Sequence, residues 1–414
     1  MHTKVSLLAI ALVIVLLPWL LWRVGLVRRV APLAVVQILV GVALGPSGLG
    51  QVAPEWHAAL FTGPVLAALD GVASLGVLLY VLVTGLHLDT TTLRQDARRL
   101  GPIALGSFAV PMLLGFGAGM WMLQAVPGAV GSLGSPAGFV VAAAICIAVT
   151  ALPVLAAVLQ EMGLLRARIG QTALALAALN DAALWIMLAL LLALAGTGDG
   201  LAGLLCLGAA ALWFGLLLLV VRPLVARLAG AGEQALLVAG VALAILSAAV
   251  SEALGTGYLI GAFVAGAIMP DACRAALLAR LETVTAIVLL PFFFMSTGLK
   301  ALIEPGSAAF LSLFAVAVAA TVIGKLLGTA LPARRLGYSW AESLTLGAMM
   351  QTKGLMEVVV LAVLHDAGLI GGQIFSAMVA MAVVCTVITA PAVRLCQRLG
   401  AERQPGGATA GQAS

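Results

Sequence analysis

Charged residues are scarce in this chain. Asp, Glu, Lys and Arg make up 9% of its 414 residues, where soluble domains carry roughly 25%. With 63% hydrophobic residues, that shortage excludes a water-soluble globular protein and leaves a polytopic membrane protein as the class. Close-spaced cysteines are missing too. Cys146, Cys206, Cys273, Cys385 and Cys396 form no metal- or redox-type pair, which argues against a disulfide framework and for free thiols packed like small apolar side chains. No basic run interleaved with aromatics accompanies the net charge of +5, so basic loops beside a bilayer explain the excess better than a nucleic-acid partner. GPSGLG (45–50) lacks the Gly-Lys-Ser/Thr ending of a phosphate loop. Neither an ATP-binding domain, a cofactor nor an enzymatic activity is expected.

What the chain does have is apolar length. Runs able to cross a bilayer, roughly 17 to 25 residues, fall near 5–22, 31–46, 65–86, 102–124, 137–160, 168–195, 200–221, 234–252, 254–270, 283–299, 307–331, 341–364 and 372–393. They predict an all-α membrane protein of about thirteen helices. The first run lacks a small-residue cleavage site and is followed by Arg23, Arg28 and Arg29, so it reads as a retained helix and not a signal peptide. Of the 21 Lys and Arg residues, 17 fall in alternate loops, on one side of the membrane by this count. The positive-inside rule then places the amino terminus outside and the carboxyl terminus in the cytoplasm, in an inner (plasma) membrane. Residues 1–403 read as one transmembrane unit, followed by a short disordered cytoplasmic tail over 404–414.

An internal repeat follows from the same map. With the seventh helix (about 200–221) as linker, a first repeat over about 5–195 pairs with a second over about 234–393, and the odd helix offset inverts the second copy. LYVLVTGLHL (79–88) answers FFFMSTGLKA (292–301), and VGVALGP (40–46) answers IGAFVAGAIMP (260–270). Each glycine alone is explained by close helix packing. Their recurrence at matching places is not.

Two spans are interrupted at corresponding positions. One breaks at Thr150-Ala151-Leu152-Pro153, where the proline cannot donate its amide and biases Leu152 away from helix; a plain kink is the alternative. The other breaks at Gln351-Thr352-Lys353-Gly354, with a charged lysine in mid-span. Paired broken helices in inverted halves point to a transporter's binding site, because unwound backbone leaves amides and carbonyls free to meet ions. Lys353 would offset the carbonyl ends, and the Thr150 hydroxyl would help hold a cation.

Just beyond the first break stands Asn180-Asp181. A carboxylate at the centre of a membrane helix costs roughly 2.5 to 3.5 kcal/mol, which makes Asp181 the candidate centre of function. The alternative for the pair is polar contact between helices, worth about 0.6 kcal/mol each. One desolvated carboxylate that takes up a proton or a cation in turn, exposed alternately to each side, is sufficient for exchange. Na⁺ or K⁺ prefers oxygen ligands, which Asp181, Asn180, Thr150 and local carbonyls supply; the choice between the two ions stays open.

Several stretches together resemble a known family: QILVGVALGPSGLG (37–50), TALPVLAAVLQEMGLLRARIGQTALALAALNDAALWIMLAL (150–190), GYLIGAFVAGAIMP (257–270), LLPFFFMSTGLK (289–300), GKLLGT (324–329) and MMQTKGLMEVVVL (349–361). The chain is similar to the monovalent cation:proton antiporter superfamily, in the branch of bacterial Na⁺ or K⁺/proton antiporters and plant cation/proton exchangers. The resemblance implies a homodimer in which a core with two crossing broken helices moves against a scaffold. It implies that Asp181 binds the transported cation and the proton, with Asn180 as its neighbour, that Lys325 is the lysine preceding the second broken helix, and that Lys353 and Glu357 form a charged pair. Lys325 would compensate Asp181 when the site is empty. Gly85-Leu86-His87 departs from the family's Gly-Leu-Glu, and Asn180 argues against electrogenic exchange. Alternatives are a carrier of another small ion or organic solute on the same fold, or a potassium efflux system lacking its regulatory domain, for which the short tail leaves no room.

Overall fold

A computed structural model of the chain describes residues 2–24, 33–87, 90–164, 167–197, 200–227, 232–301 and 307–401. The expected tail, 404–414, and several of the arginines used to orient the chain lie outside them. Among the described residues the structure is helical without a strand; Val130 and Ile370 form an isolated bridge between two loops.

The helices, in chain order, are α1 (His2–Arg23), α2 (Leu33–Leu44), α3 (Leu49–Val52), α4 (Pro54–Leu60), α5 (Gly63–Leu86), α6 (Thr90–Ala125), α7 (Pro136–Ala148), α8 (Leu152–Glu161), α9 (Arg168–Thr197), α10 (Gly200–Leu216) and α11 (Arg222–Arg227). They continue as α12 (Glu233–Ala253), α13 (Tyr258–Ala267), α14 (Asp271–Val284), α15 (Leu290–Lys300), α16 (Ala308–Arg335), α17 (Trp340–Met350), α18 (Leu355–Asp366) and α19 (Gly372–Ala401). Single π turns, Leu217–Val221 and Thr285–Leu289, join α10 to α11 and α14 to α15. Each lies next to a proline, Pro223 or Pro291, whose missing amide would otherwise interrupt the α ladder.

Ten helices among the described residues are long and apolar enough to cross a membrane. The other three expected spans are also present: 137–160 and 341–364 are each a pair of half-helices, and 254–270 contains the ten-residue α13. Two helices start earlier than hydropathy suggests, α6 at Thr90 and α14 at Asp271. Their first turns carry polar and charged residues that a hydropathy reading assigns to loops.

Packing divides the helices into two bundles. α6 to α9 pack with α16 to α19, while α1, α2 and α5 pack with α12 to α15. α10 and α11 lie between these groups in the chain, and α15 meets α18 where the bundles touch. Two close helix crossings between the halves rest on glycine pairs. A Cβ on Gly41 or Gly298 would strike the facing backbone where α2 crosses α15, and the same holds for Gly85 and Gly266 where α5 crosses α13. Under the repeat expected from sequence, α2 corresponds to α13 and α5 to α15, so these crossings are each other's counterpart. The recurring glycines are explained by contact between the halves, since only small residues let two helix backbones approach this closely.

Candidate functional site

The two broken spans cross and cap each other. In the first, Val149, Thr150 and Ala151 are not helical, and α8 already begins at Leu152. This corrects the expected break by two residues: Leu152 and Pro153 belong to the first turn of α8. That is where a proline is tolerated, because first-turn amides have no partner within the helix. In the second, Gln351 to Gly354 are not helical, and Gly354 takes φ +126°, a conformation only glycine adopts readily. The backbones join directly where the Ala151 amide donates to the Thr352 carbonyl at 3.0 Å.

Side chains complete the crossing. Lys353 Nζ donates to the Cys146 and Ile147 carbonyls at 2.6 and 3.1 Å, placing an ammonium at the negative carboxyl end of α7. The Thr150 hydroxyl donates to the Met350 carbonyl at 2.7 Å, and the Thr352 hydroxyl to the Met349 carbonyl at 2.6 Å. The first of these bonds meets a carbonyl at the end of α17, where helical amides run out, and the second adds to the Thr352 amide, which donates to the same Met349 carbonyl at 3.1 Å. Glu357, in the first turn of α18, lies 2.9 Å from Lys353 Nζ, and both side chains are fully buried. Lys353 and Glu357, four residues apart, thus form an ion pair across the break.

The remaining half-helix end, the amino end of α8, faces Asp181 on α9. Asp181 is 1% exposed, and neither carboxylate oxygen has a hydrogen bond of good geometry. The Leu152 amide points at it without closing a well-aligned bond. Lys325 and Tyr80 stand within electrostatic range. Lys325 makes no direct pair with the carboxylate: its Nζ donates to the Ser107 carbonyl on α6 at 3.0 Å. Asn180 points away from its neighbour as well, because successive residues on a helix project about 100° apart. Its amide nitrogen donates to Ser107 Oγ at 3.1 Å.

The structure thus brings Thr150, Ala151, Thr352, Lys353, Gly354 and Glu357 together at the crossing, and sets Asp181 against Leu152. Asn180 and Lys325 meet at Ser107, which reasoning from the sequence missed. A signal for it was there: Pro111 lies four residues on and removes the amide that would bond to the Ser107 carbonyl. Tyr80 was missed because a lone tyrosine in an apolar helix carries no pattern.

A cavity of about 710 Å³ opens between the bundles. Its rim carries Asp70, Glu252, Lys300 and Asp366, and its wall includes Val77 and Leu188. Leu188 lies seven residues past Asp181 on α9, about 10 Å along the axis. Lys300 Nζ is 3.5 Å from Asp70 and 3.8 Å from Asp366, joining one bundle to the other. His87 lies 3.6 Å from Glu282, so at the family's Gly-Leu-Glu position an acid faces the histidine from α14.

The chain is 33% identical over 372 residues to cation/H⁺ antiporter 17 of Arabidopsis thaliana, covering 87% of this chain and 45% of that protein. It therefore spans about half the length of such plant relatives. It is 30% identical over 410 residues to the Na⁺/H⁺ antiporter NhaS4 of Synechocystis, covering 95% and 98% of the two chains. Its fold matches the sodium proton antiporter MjNhaP1 of Methanocaldococcus jannaschii, with a TM-score of 0.57 at 15% identity over 96% of this chain and 99% of that one. Residues 8–395 match the transmembrane sodium/hydrogen exchanger family, and the chain belongs to that family.

Proposed function

We propose that the protein is a secondary monovalent cation:proton antiporter in which Asp181 carries the proton and the cation by turns. One observation carries this reading: of the four half-helix ends at the crossing, three are met by side chains of the crossing itself, while the fourth faces a buried carboxylate with no ion-pair partner and no hydrogen bond of good geometry. An ionised carboxylate left alone in a low-dielectric interior is strongly disfavoured, so it holds either a proton or a cation. Oxygen ligands suited to Na⁺ or K⁺ come from Asp181, the Thr150 hydroxyl and carbonyls of the breaks. Asn180 enters by swinging off Ser107.

Alternating exposure follows from the two bundles, with α6 to α9 and α16 to α19 as the moving core and the rest as scaffold. The cavity opens on the face away from the arginine-rich loops, and we assign that face to the outside of the inner membrane, with the carboxyl terminus in the cytoplasm. The halves, about 5–195 and 234–393, act as inverted repeats around the linker helix 200–221, in a homodimer. The names of the relatives, Na⁺/H⁺ and cation/H⁺ antiporters, support the choice of ions. No covalent step is involved.

The test is cation-dependent dissipation of a pH gradient in proteoliposomes of the purified protein. Wild type is expected to respond to Na⁺ or K⁺, and Asp181→Asn, folded and inserted, is expected to be silent, because asparagine cannot exchange a proton. Near wild-type flux in that variant would end the reading. A second reading, transport of a larger organic cation, is favoured only by the size of the cavity; a response to organic cations in place of Na⁺ and K⁺ would select it.

A further inference from the structure

Ser107 is fully buried in the middle of α6, and its backbone carbonyl should accept the amide of residue 111. Residue 111 is proline, which has no amide to give. The carbonyl is therefore left over inside the membrane, where an unsatisfied acceptor costs several kcal/mol. Lys325 Nζ takes it at 3.0 Å. The geometry that allows this is local: Gly324 has no side chain, and a Cβ there would stand 2.6 Å from Pro111 Cα and 2.7 Å from its Cβ. α16 can thus press onto α6 at the proline and deliver the next residue, Lys325, to the freed carbonyl. The Ser107 side chain serves the same neighbourhood, donating to the Ala104 carbonyl at 2.9 Å and accepting from Asn180 at 3.1 Å.

We propose that Pro111 and Ser107 form a resting place for the Lys325 ammonium: the carbonyl freed by the proline holds the lysine off Asp181, so that a cation can take the carboxylate. Ser107 and Pro111 are positioning residues, acting through Lys325 and Asn180, and the inference rests on Asp181 being the shared site. The charges around Lys325 make Asp181 the alternative acceptor. Glu357 is already paired with Lys353, and Lys353 itself repels a second ammonium. A lysine that lost the Ser107 carbonyl would turn to the one carboxylate in range without an ion-pair partner, and would there compete with the transported cation.

Pro111→Ala tests this, because alanine restores the amide and returns the Ser107 carbonyl to the helix. Na⁺- and K⁺-dependent proton flux in proteoliposomes is expected to show an apparent cation KM raised about tenfold, the size of one charge-assisted hydrogen bond moved from one acceptor to another, with kcat little changed. The effect must vanish in the Lys325→Gln background: Pro111→Ala/Lys325→Gln should have the KM of Lys325→Gln alone. Pro111→Gly restores the same amide and should behave like Pro111→Ala, which covers a folding defect specific to alanine. Ser107→Ala keeps the carbonyl, so its KM change, arising through Asn180, should persist in the Lys325→Gln background. A wild-type KM in both Pro111 variants, or a KM change that adds to that of Lys325→Gln, overturns the proposal. If Asp181→Asn still exchanges, the underlying reading has failed; if it is silent while the Pro111 variants keep the wild-type KM, only this inference has failed.

Discussion

Asp181 and Glu357 are the two buried carboxylates at the crossing. Each is a carboxylate buried at the amino end of a half-helix, Asp181 facing α8 and Glu357 inside the first turn of α18. Neither carboxylate has a hydrogen bond of good geometry, but their cations differ: Glu357 has an ammonium at 2.9 Å, and Asp181 has none within ion-pair distance. The ammonium is itself tied to two carbonyls of the opposite half-helix, so the Lys353–Glu357 pair holds the crossing together. Asp181 is left with a long-range lysine that rests on another residue. On the proposed function, the two carboxylates divide into a structural one and an exchangeable one, according to which of them has a cation beside it.

The comparison breaks most visibly at Lys353. Lys353→Gln strands Glu357 in a buried site, and losing one partner of a buried pair costs about 3 to 5 kcal/mol. A large fall in thermal midpoint and folded yield is expected, partly recovered in Lys353→Gln/Glu357→Gln, where neither charge is left alone. Equal losses in the single and double variants would show that the pair does not hold the crossing.

Lys325→Gln should act on the other carboxylate. Its ammonium favours the ionised form of Asp181 from a distance, so without it the proton leaves only in a more alkaline medium. The pH–activity curve of exchange should shift to higher pH while thermal stability changes less than in Lys353→Gln. An unchanged optimum here, with a shifted optimum and normal stability in Lys353→Gln, would reverse the two roles.

Asn180→Asp sharpens the contrast by adding a second carboxylate beside the first. Exchange should become more sensitive to an imposed membrane potential, measured in proteoliposomes with a potassium or proton diffusion potential. Equal sensitivity in wild type and variant would remove any role for the neighbour in setting the charge moved. The smallest effect is expected at Lys300, which bridges Asp70 and Asp366 at a partly exposed site. Exposed ion pairs are worth about 0 to 1 kcal/mol, so Lys300→Gln should change the rate of exchange by no more than about fivefold.

Much of this contrast is legible in the sequence, and the reason is the bilayer. Apolar runs must be helices there, so the spans, the two breaks and the mid-span charges stand out against a background with little charge. Lys353 and Glu357 are four residues apart, and local spacing alone predicts their contact. The pairing of Lys325 with Ser107 is not local, since 218 residues separate them. Asn180 reaches Ser107 across 73 residues, and no periodicity links those positions. The exact place of the first break was misread for a physical reason: Pro153 disfavours helix before itself and is accepted within a first turn, so it marks the start of α8 and not its interruption.

The most direct test of the division between the carboxylates is proton release. Purified protein in weakly buffered detergent solution would be given Na⁺ or K⁺, and the pH change recorded for wild type, Asp181→Asn and Glu357→Gln. Wild type should release protons as the cation takes the carboxylate, Glu357→Gln should still release them to the extent that it is folded, and Asp181→Asn should release none. Cation-induced release from folded Asp181→Asn, or its loss in folded Glu357→Gln, would contradict the assignment of exchange to Asp181.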